Sequence, residues 1–238
     1  MPATRMTAWQ SSIRTVVIDA FIAAALADGV DTVLNLGAGL DARPWRMALP
    51  PSLLWIEADS PQIVDYKAER LRGEAPRCRL ERVEVDLADA PARRKLLAEV
   101  DARAAKLLVL TEGVIPYLAE AQAGALADDL RALEHLAGWI VDYVSPQAAA
   151  YRDRMGMARA MRNAPFRFAP RDPFAFWRAH GWRVKTIRYL EEEGRRLGRP
   201  APLPFIVRAA IALLGRLAPK ERRDALRRHS AYMLLEPA

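Results

Sequence analysis

Along the first 145 residues, apolar runs of strand length alternate with segments whose apolar residues recur at helical spacing, and this beat restricts the fold more than any other feature. The runs lie at 32–36, 53–56, 80–85, 107–110 and 139–144; helices are expected at 61–71, 92–102 and 120–136, the last with Leu126, Leu130 and Leu133 on one stripe. An opening helix marked by Ile13, Val17, Phe21 and Ala24 is expected to stop near Asp28-Gly29. Continuously apolar strands separated by helices imply a parallel sheet covered on both faces, an α/β fold. Beyond 145 the beat changes. Helices are expected at 148–161, 173–180, 203–217 (apolar) and 220–228 (basic), with strands at 182–189 and 230–235. One domain over 1–238, with a helical substrate-side elaboration at about 146–180 and 203–228, accommodates this pattern.

Composition excludes several classes. With 52% hydrophobic residues the chain can build a core, and its single cysteine, Cys78, rules out an internal disulfide framework or a structural zinc site. No metal is expected. The formal charge of +7 raises the question of polyanions, but all except five of the 36 basic residues are arginines, scattered as on a solvated face apart from 195–199 and 216–228. A basic module for RNA or a membrane surface, using 216–228 and the adjoining apolar helix, is the non-enzyme alternative. Arg208 and Arg216 interrupt that helix, so it suits a lid, or a face covered by a second copy in a homodimer, better than a membrane span. The opening Met-Pro-Ala-Thr-Arg has no apolar signal core behind it, so a cytoplasmic protein is expected.

The most informative segment follows the first strand. Gly37 and Gly39 allow a sharp turn and a close ligand approach, at the strand end where open parallel sheets bind ligands. Residues 37–42 also satisfy a loose dinucleotide fingerprint, with Glu57 and Asp59 arriving 20 and 22 residues after Gly37. An NAD(P)-dependent oxidoreductase is therefore a competing reading. Asp41 argues against it, because it would set an anion beside the pyrophosphate. A cationic sulfonium cofactor instead tolerates acids, and Asp59, Asp86 and Glu112 stand at the ends of successive strands.

Four blocks resemble the class I S-adenosylmethionine-dependent methyltransferases of the leucine carboxyl methyltransferase family, which includes bacterial polyketide-type O-methyltransferases. They are Arg14-Thr15-Val16-Val17-Ile18-Asp19, Asn35-Leu36-Gly37-Ala38-Gly39-Leu40-Asp41-Ala42-Arg43, Glu57-Ala58-Asp59-Ser60-Pro61 with Lys67 downstream, and Leu110-Thr111-Glu112-Gly113-Val114-Ile115-Pro116-Tyr117-Leu118. Together they span about 12–145. The resemblance implies a Rossmann-like sheet, mostly parallel with an antiparallel C-terminal strand, and S-adenosyl-L-methionine as cofactor. It also implies cofactor contacts: Arg14 with the methionine carboxylate, Gly37 with the amino-acid part, Asp59 with the ribose, Asp86 and Leu87 with the adenine, and Glu112 near the methionyl end. Glu57 is the neighbour that would exchange roles with Asp59 in a shifted alignment. Asp41 and Arg43 look like loop braces.

Thirteen residues precede Arg14 where family members carry a longer cover, so closure is expected to fall to 151–173 and 203–217. The implied reaction is O-methylation of a small-molecule or carboxylate acceptor, with nucleic acid not expected as partner. A carboxylate needs no general base, whereas a phenol or alcohol benefits from one. None of His135, His180 and His229 is assigned as a base, since none is expected beside a strand-end loop; Tyr117 and Tyr143 follow strands and could face an acceptor. No catalytic residue is assigned.

Overall fold

The computed structural model describes residues 2–148, 165–203 and 228–238. In chain order these form α1 (Pro2–Ala27), β1 (Thr32–Leu36), α2 (Arg43–Arg46), β2 (Leu54–Asp59), α3 (Pro61–Arg70), β3 (Arg79–Glu84), α4 (Ala90–Asp101) and β4 (Leu107–Thr111). A short 3-10 turn at Ile115–Tyr117 follows, then α5 (Glu120–Arg131), β5 (Leu136–Val144), α6 (Pro173–Ala179), β6 (Trp182–Tyr189), α7 (Leu190–Arg196) and β7 (Ser230–Pro237). The seven strands are ordered β3-β2-β1-β4-β5-β7-β6. Strands β1 to β5 run parallel, and β7 is antiparallel to both β5 and β6, so the one reversed strand lies inside the sheet with β6 at its edge.

Strands β1 and β4 are buried at every position because both of their faces are covered. On one face Ile13, Val17, Ile18, Phe21 and Ile22 of α1 meet Val33, Trp55, Leu108, Leu110 and Ile140. Over Arg5–Ala27, α1 is long and apolar enough to cross a membrane, yet this stripe is packed on the sheet. On the other face, Leu96, Leu97 and Val100 of α4 and Leu126 and Leu130 of α5 cover Leu34, Ile56, Val109 and Trp139. Trp139 is flanked edge-on by Trp177 and Trp182 at 5.0 and 5.2 Å between ring centres. Its indole donates to Thr111 Oγ1, and that of Trp182 to the Ala127 carbonyl, so two of these buried rings keep their polar atoms satisfied.

Several boundaries depart from the expected pattern, and the helix at Leu190–Arg196 is not part of it. The helix expected over 120–136 stops at Arg131, because Asp101 accepts the amides of Glu134 and His135 at 3.0 Å and draws the chain out into β5 five residues later than the helix end. The strand consequently starts at Leu136 rather than at 139. Asp89 caps α4 by accepting from the Ala92 amide, which moves its start to Ala90. Except for residues 146–148, which are helical, the helices expected at 148–161, 203–217 and 220–228 fall mostly outside the described residues.

Candidate functional site

At the carboxyl end of β1 the chain turns on two glycines in the left-handed region, Gly37 at φ 69° and Gly39 at φ 49°. A Cβ on Gly37 would come within 2.6 Å of Val114 Cγ2, so the loop lies tight against the tip of β4 only because no side chain is there. The amides of Gly37 and Ala38 donate to the Ala58 carbonyl, and that of Gly39 donates to Asp59 Oδ2 at 2.7 Å. Beside the loop opens a cavity of about 410 Å³ lined by residues 37–43 together with Arg14, Thr15, Asn35, Arg46 and Glu112.

Arg43, only 2% exposed, is the hub of this wall. Its guanidinium donates to Asp19 at 2.7 Å, Asp41 at 2.9 Å and Glu112 at 2.7 Å. Burial opposes its charge, but the Asp41 and Glu112 carboxylates outweigh that and raise its pKa. Asp19 is likewise desolvated, yet hydrogen bonds from Arg46 and Arg43 hold its carboxyl below the usual range. Arg14 approaches Glu112 to 2.8 Å as a charge pair without hydrogen-bond alignment, which leaves its buried Nε–H unused. Asn35, 1% exposed, spends its amide N–H on Asp41 and keeps Oδ1 unpaired.

Of the six sequence-derived contacts, Arg14, Gly37 and Glu112 meet around the cavity. Asp59 is one step away, holding the loop through Gly39 and its own end of β2 through the Ser60 amide. The Val85 amide donates to the Asp59 carbonyl, tying the β3 end that carries Asp86 to that of β2. Asp86 itself is exposed and accepts from the Ala88 amide, outside the cavity lining. Leu87 packs towards the core with Cδ1 4.0 Å from the position a Gly37 Cβ would take.

Glu57 is no substitute for Asp59. It sits one pleat deeper, 2% exposed, paired with Lys67 at 2.7 Å and Arg82 at 3.2 Å. Burial pushes its carboxyl up while Lys67 and Arg82 pull it back. Asp41 and Arg43 brace the loop and also line the cavity.

Tyr117 is 38% exposed and stacks on Phe166 at 5.0 Å, whereas Tyr143 is buried against Phe174 and Tyr189. The strap that carries Phe166 is anchored by the amides of Arg167 and Phe168, both donating to the Pro116 carbonyl. Two histidines lie elsewhere: His135 precedes β5 at the far end of the sheet, and His180 binds Asp128. His229, contrary to expectation, precedes β7 at the same end as the cavity, where its carbonyl accepts the Ser145 amide after β5. The reversed direction of β7 puts it there.

Sequence reasoning missed Asp142 and Tyr232, whose side chains join across β5 and β7 at 2.7 Å. An acid in the otherwise apolar run 139–144 was the available signal.

These residues suit the amino-acid end of S-adenosylmethionine, a zwitterion that needs a cation and an anion close together. Arg14 and Glu112, 2.8 Å apart in the cavity wall, are such a pair.

The family model for leucine carboxyl methyltransferase matches residues 2–131. A Mycobacteroides abscessus protein named as an S-adenosyl-L-methionine-dependent methyltransferase is 30% identical over 210 residues, covering 80% of this chain and 67% of that protein. A Mycobacterium bovis protein with the same description is 32% identical over 220 residues, covering 87% of this chain and 70% of that one. Among solved structures, a DUF574 family protein from Streptomyces avermitilis aligns with a TM-score of 0.58 at 17% identity, over 98% of this chain and 82% of that one. Magnesium protoporphyrin IX methyltransferase from Synechocystis, solved with bound S-adenosylhomocysteine, shares the fold at a TM-score of 0.52 and 14% identity, over 96% and 83%. The chain therefore belongs to the leucine carboxyl methyltransferase family of S-adenosylmethionine-dependent methyltransferases.

Proposed function

We propose that this protein is an O-methyltransferase whose acceptor is a small molecule, with a carboxylate oxygen as the favoured nucleophile. The observation that carries the reading is the pairing of Arg14 and Glu112 over the Gly37 loop, close in sequence to the exposed Tyr117 ring on the same strand-end loop. When bound, S-adenosylmethionine supplies a methyl group on a positively charged sulfur that leaves as a neutral thioether. In this reading Arg14 holds the methionine carboxylate and Glu112 the ammonium. Asp59 serves the ribose, and Asp86 with the Leu87 amide serves the adenine. Arg43 keeps Glu112 and the loop fixed, so that little reorganisation is required on binding.

The Tyr117–Phe166 stack offers a flat apolar wall for the acceptor. A carboxylate acceptor is already anionic, so positioning and exclusion of water suffice as the catalytic contribution, and no side chain has to take a proton. The family description names a carboxyl acceptor, which supports the same chemistry.

Transfer from methyl-tritiated S-adenosylmethionine to a panel of carboxylic acids and phenols tests the proposal. Labelled product from carboxylic acids that releases volatile methanol in alkali is the expected result. Label confined to amines, thiols or RNA overturns it.

A further inference from the structure

Asp142 stands on β5 one residue beyond the Thr111–Val141 pairing, which sets it beside Glu112 at the end of β4. Its carboxylate accepts three times: Oδ1 from the Tyr232 hydroxyl at 2.7 Å, and both oxygens from the Gly113 amide at 3.0 and 3.2 Å. Gly113 directly follows Glu112, so the same contact fixes the backbone that carries the cavity's acid. Tyr232 lies opposite Asp142 in the antiparallel β5–β7 register and is almost fully buried. Burial, then the charges of Asp142 and Glu112, push its hydroxyl well above the ordinary tyrosine value, so it stays a donor.

An asparagine could take the Tyr232 hydroxyl on its one acceptor oxygen without bringing a charge next to Glu112, but would turn its amide nitrogen towards the Gly113 N–H, where the carboxylate offers a second acceptor. Among the described residues, Asp19, Asp41, Glu112 and Asp142 face only Arg14, Arg43 and Arg46 at this end of the site, and no cation contacts Asp142 directly. The cluster thus carries one net negative charge, and Asp142 is the member without an ion-pair partner.

We propose that Asp142 is a specificity-determining residue for the cofactor: its charge, set beside Glu112 by Tyr232 and the Gly113 amide, makes the site prefer the cationic methyl donor over its neutral thioether product. This rests on the assignment of the Arg14–Glu112 cavity to the methionyl end. The methionyl zwitterion adds no net charge, so the excess negative charge is balanced only when the sulfur is cationic. After transfer that balance is lost and the product is held less tightly, which favours turnover. Burial, with Glu112 adding, pushes the Asp142 carboxyl up to about 6 against the pull of Tyr232, Gly113 and Arg14, so the preference is removable by acid.

Calorimetric titration of S-adenosylmethionine and S-adenosylhomocysteine into the full chain provides the test, with Asp142→Asn, Tyr232→Phe and the exposed-helix control Glu99→Gln. One nearby unit charge in a half-buried site changes cation affinity by about three- to tenfold. Asp142→Asn should therefore weaken the donor by roughly that factor while leaving the product within about twofold. Tyr232→Phe should shift the pH at which the preference fades upward, since the carboxylate loses a donor. In the wild-type protein the donor-to-product affinity ratio should fall between pH 7 and pH 5.5, an arm that needs no variant to fold. Equal weakening of both ligands, or a ratio independent of pH and of Asp142, overturns the proposal. Failure of the wild-type protein to bind either ligand overturns the site assignment instead.

Discussion

Replacing Gly37 with alanine adds one methyl group at the tightest point of the site. Its backbone sits at φ 69°, where a Cβ costs about 1–2 kcal/mol. The new carbon would also meet Val114 Cγ2 at 2.6 Å, and overpacking of this kind costs about 1–3 kcal/mol when neighbours must shift. Together Gly37→Ala should lose about 2–5 kcal/mol of unfolding free energy, measured by urea titration at 25 °C. The two terms can be separated, because trimming Val114 to alanine removes the clash but not the backbone strain. In a double-mutant cycle, Gly37→Ala made on Val114→Ala should therefore cost only about 1–2 kcal/mol, a coupling that reports the contact itself. Equal costs in both backgrounds would refute the close approach of the loop to β4, and a loss under about 0.5 kcal/mol would refute the left-handed turn as well.

The same logic extends to the ionisable groups. Burial pushes the Asp142 carboxyl up to about 6 from its ordinary 3.8, so this group takes stability away as pH rises from 4 through 6. Relative to wild type, Asp142→Asn should become more stable by up to about 3 kcal/mol between pH 4 and pH 7, as followed by urea titration across that range; a difference that does not change with pH would refute the shift. Lys67→Met leaves Glu57 buried beside Arg82 alone and should cost about 3–5 kcal/mol at pH 7. Part of that loss should return at pH 5, where the stranded carboxyl of Glu57 can protonate; a pH-independent loss would mean that Lys67 acts only by packing.

How much of this was legible in the sequence depends on how local each determinant is. The period-two and period-3.6 patterns are local, so the five parallel strands, the Trp182–Tyr189 strand and the turn at Gly37 and Gly39 are all readable from short windows. The end of α5 is not, since Leu126, Leu130 and Leu133 continue a helical stripe that only Asp101, on another helix, interrupts. Arg43 reads as a loop brace from its neighbour Asp41. Its buried position depends on Asp19 and Glu112, 24 and 69 positions away, which the sheet brings together. The Asp142–Tyr232 contact spans 90 positions and depends on β7 pairing in the reverse direction beside β5. Family resemblance supplied the proposed cofactor contacts because the blocks keep their spacing. It was silent on the second carboxylate beside Glu112, which belongs to none of those blocks.

A co-crystal structure with S-adenosylhomocysteine tests the central claim most directly, because it locates each end of the ligand independently of activity. The account predicts the methionyl carboxylate within about 3 Å of the Arg14 guanidinium, the ammonium at Glu112 and the ribose hydroxyls at Asp59. A ligand bound elsewhere, or one whose amino-acid end lies away from Arg14 and Glu112, would contradict it.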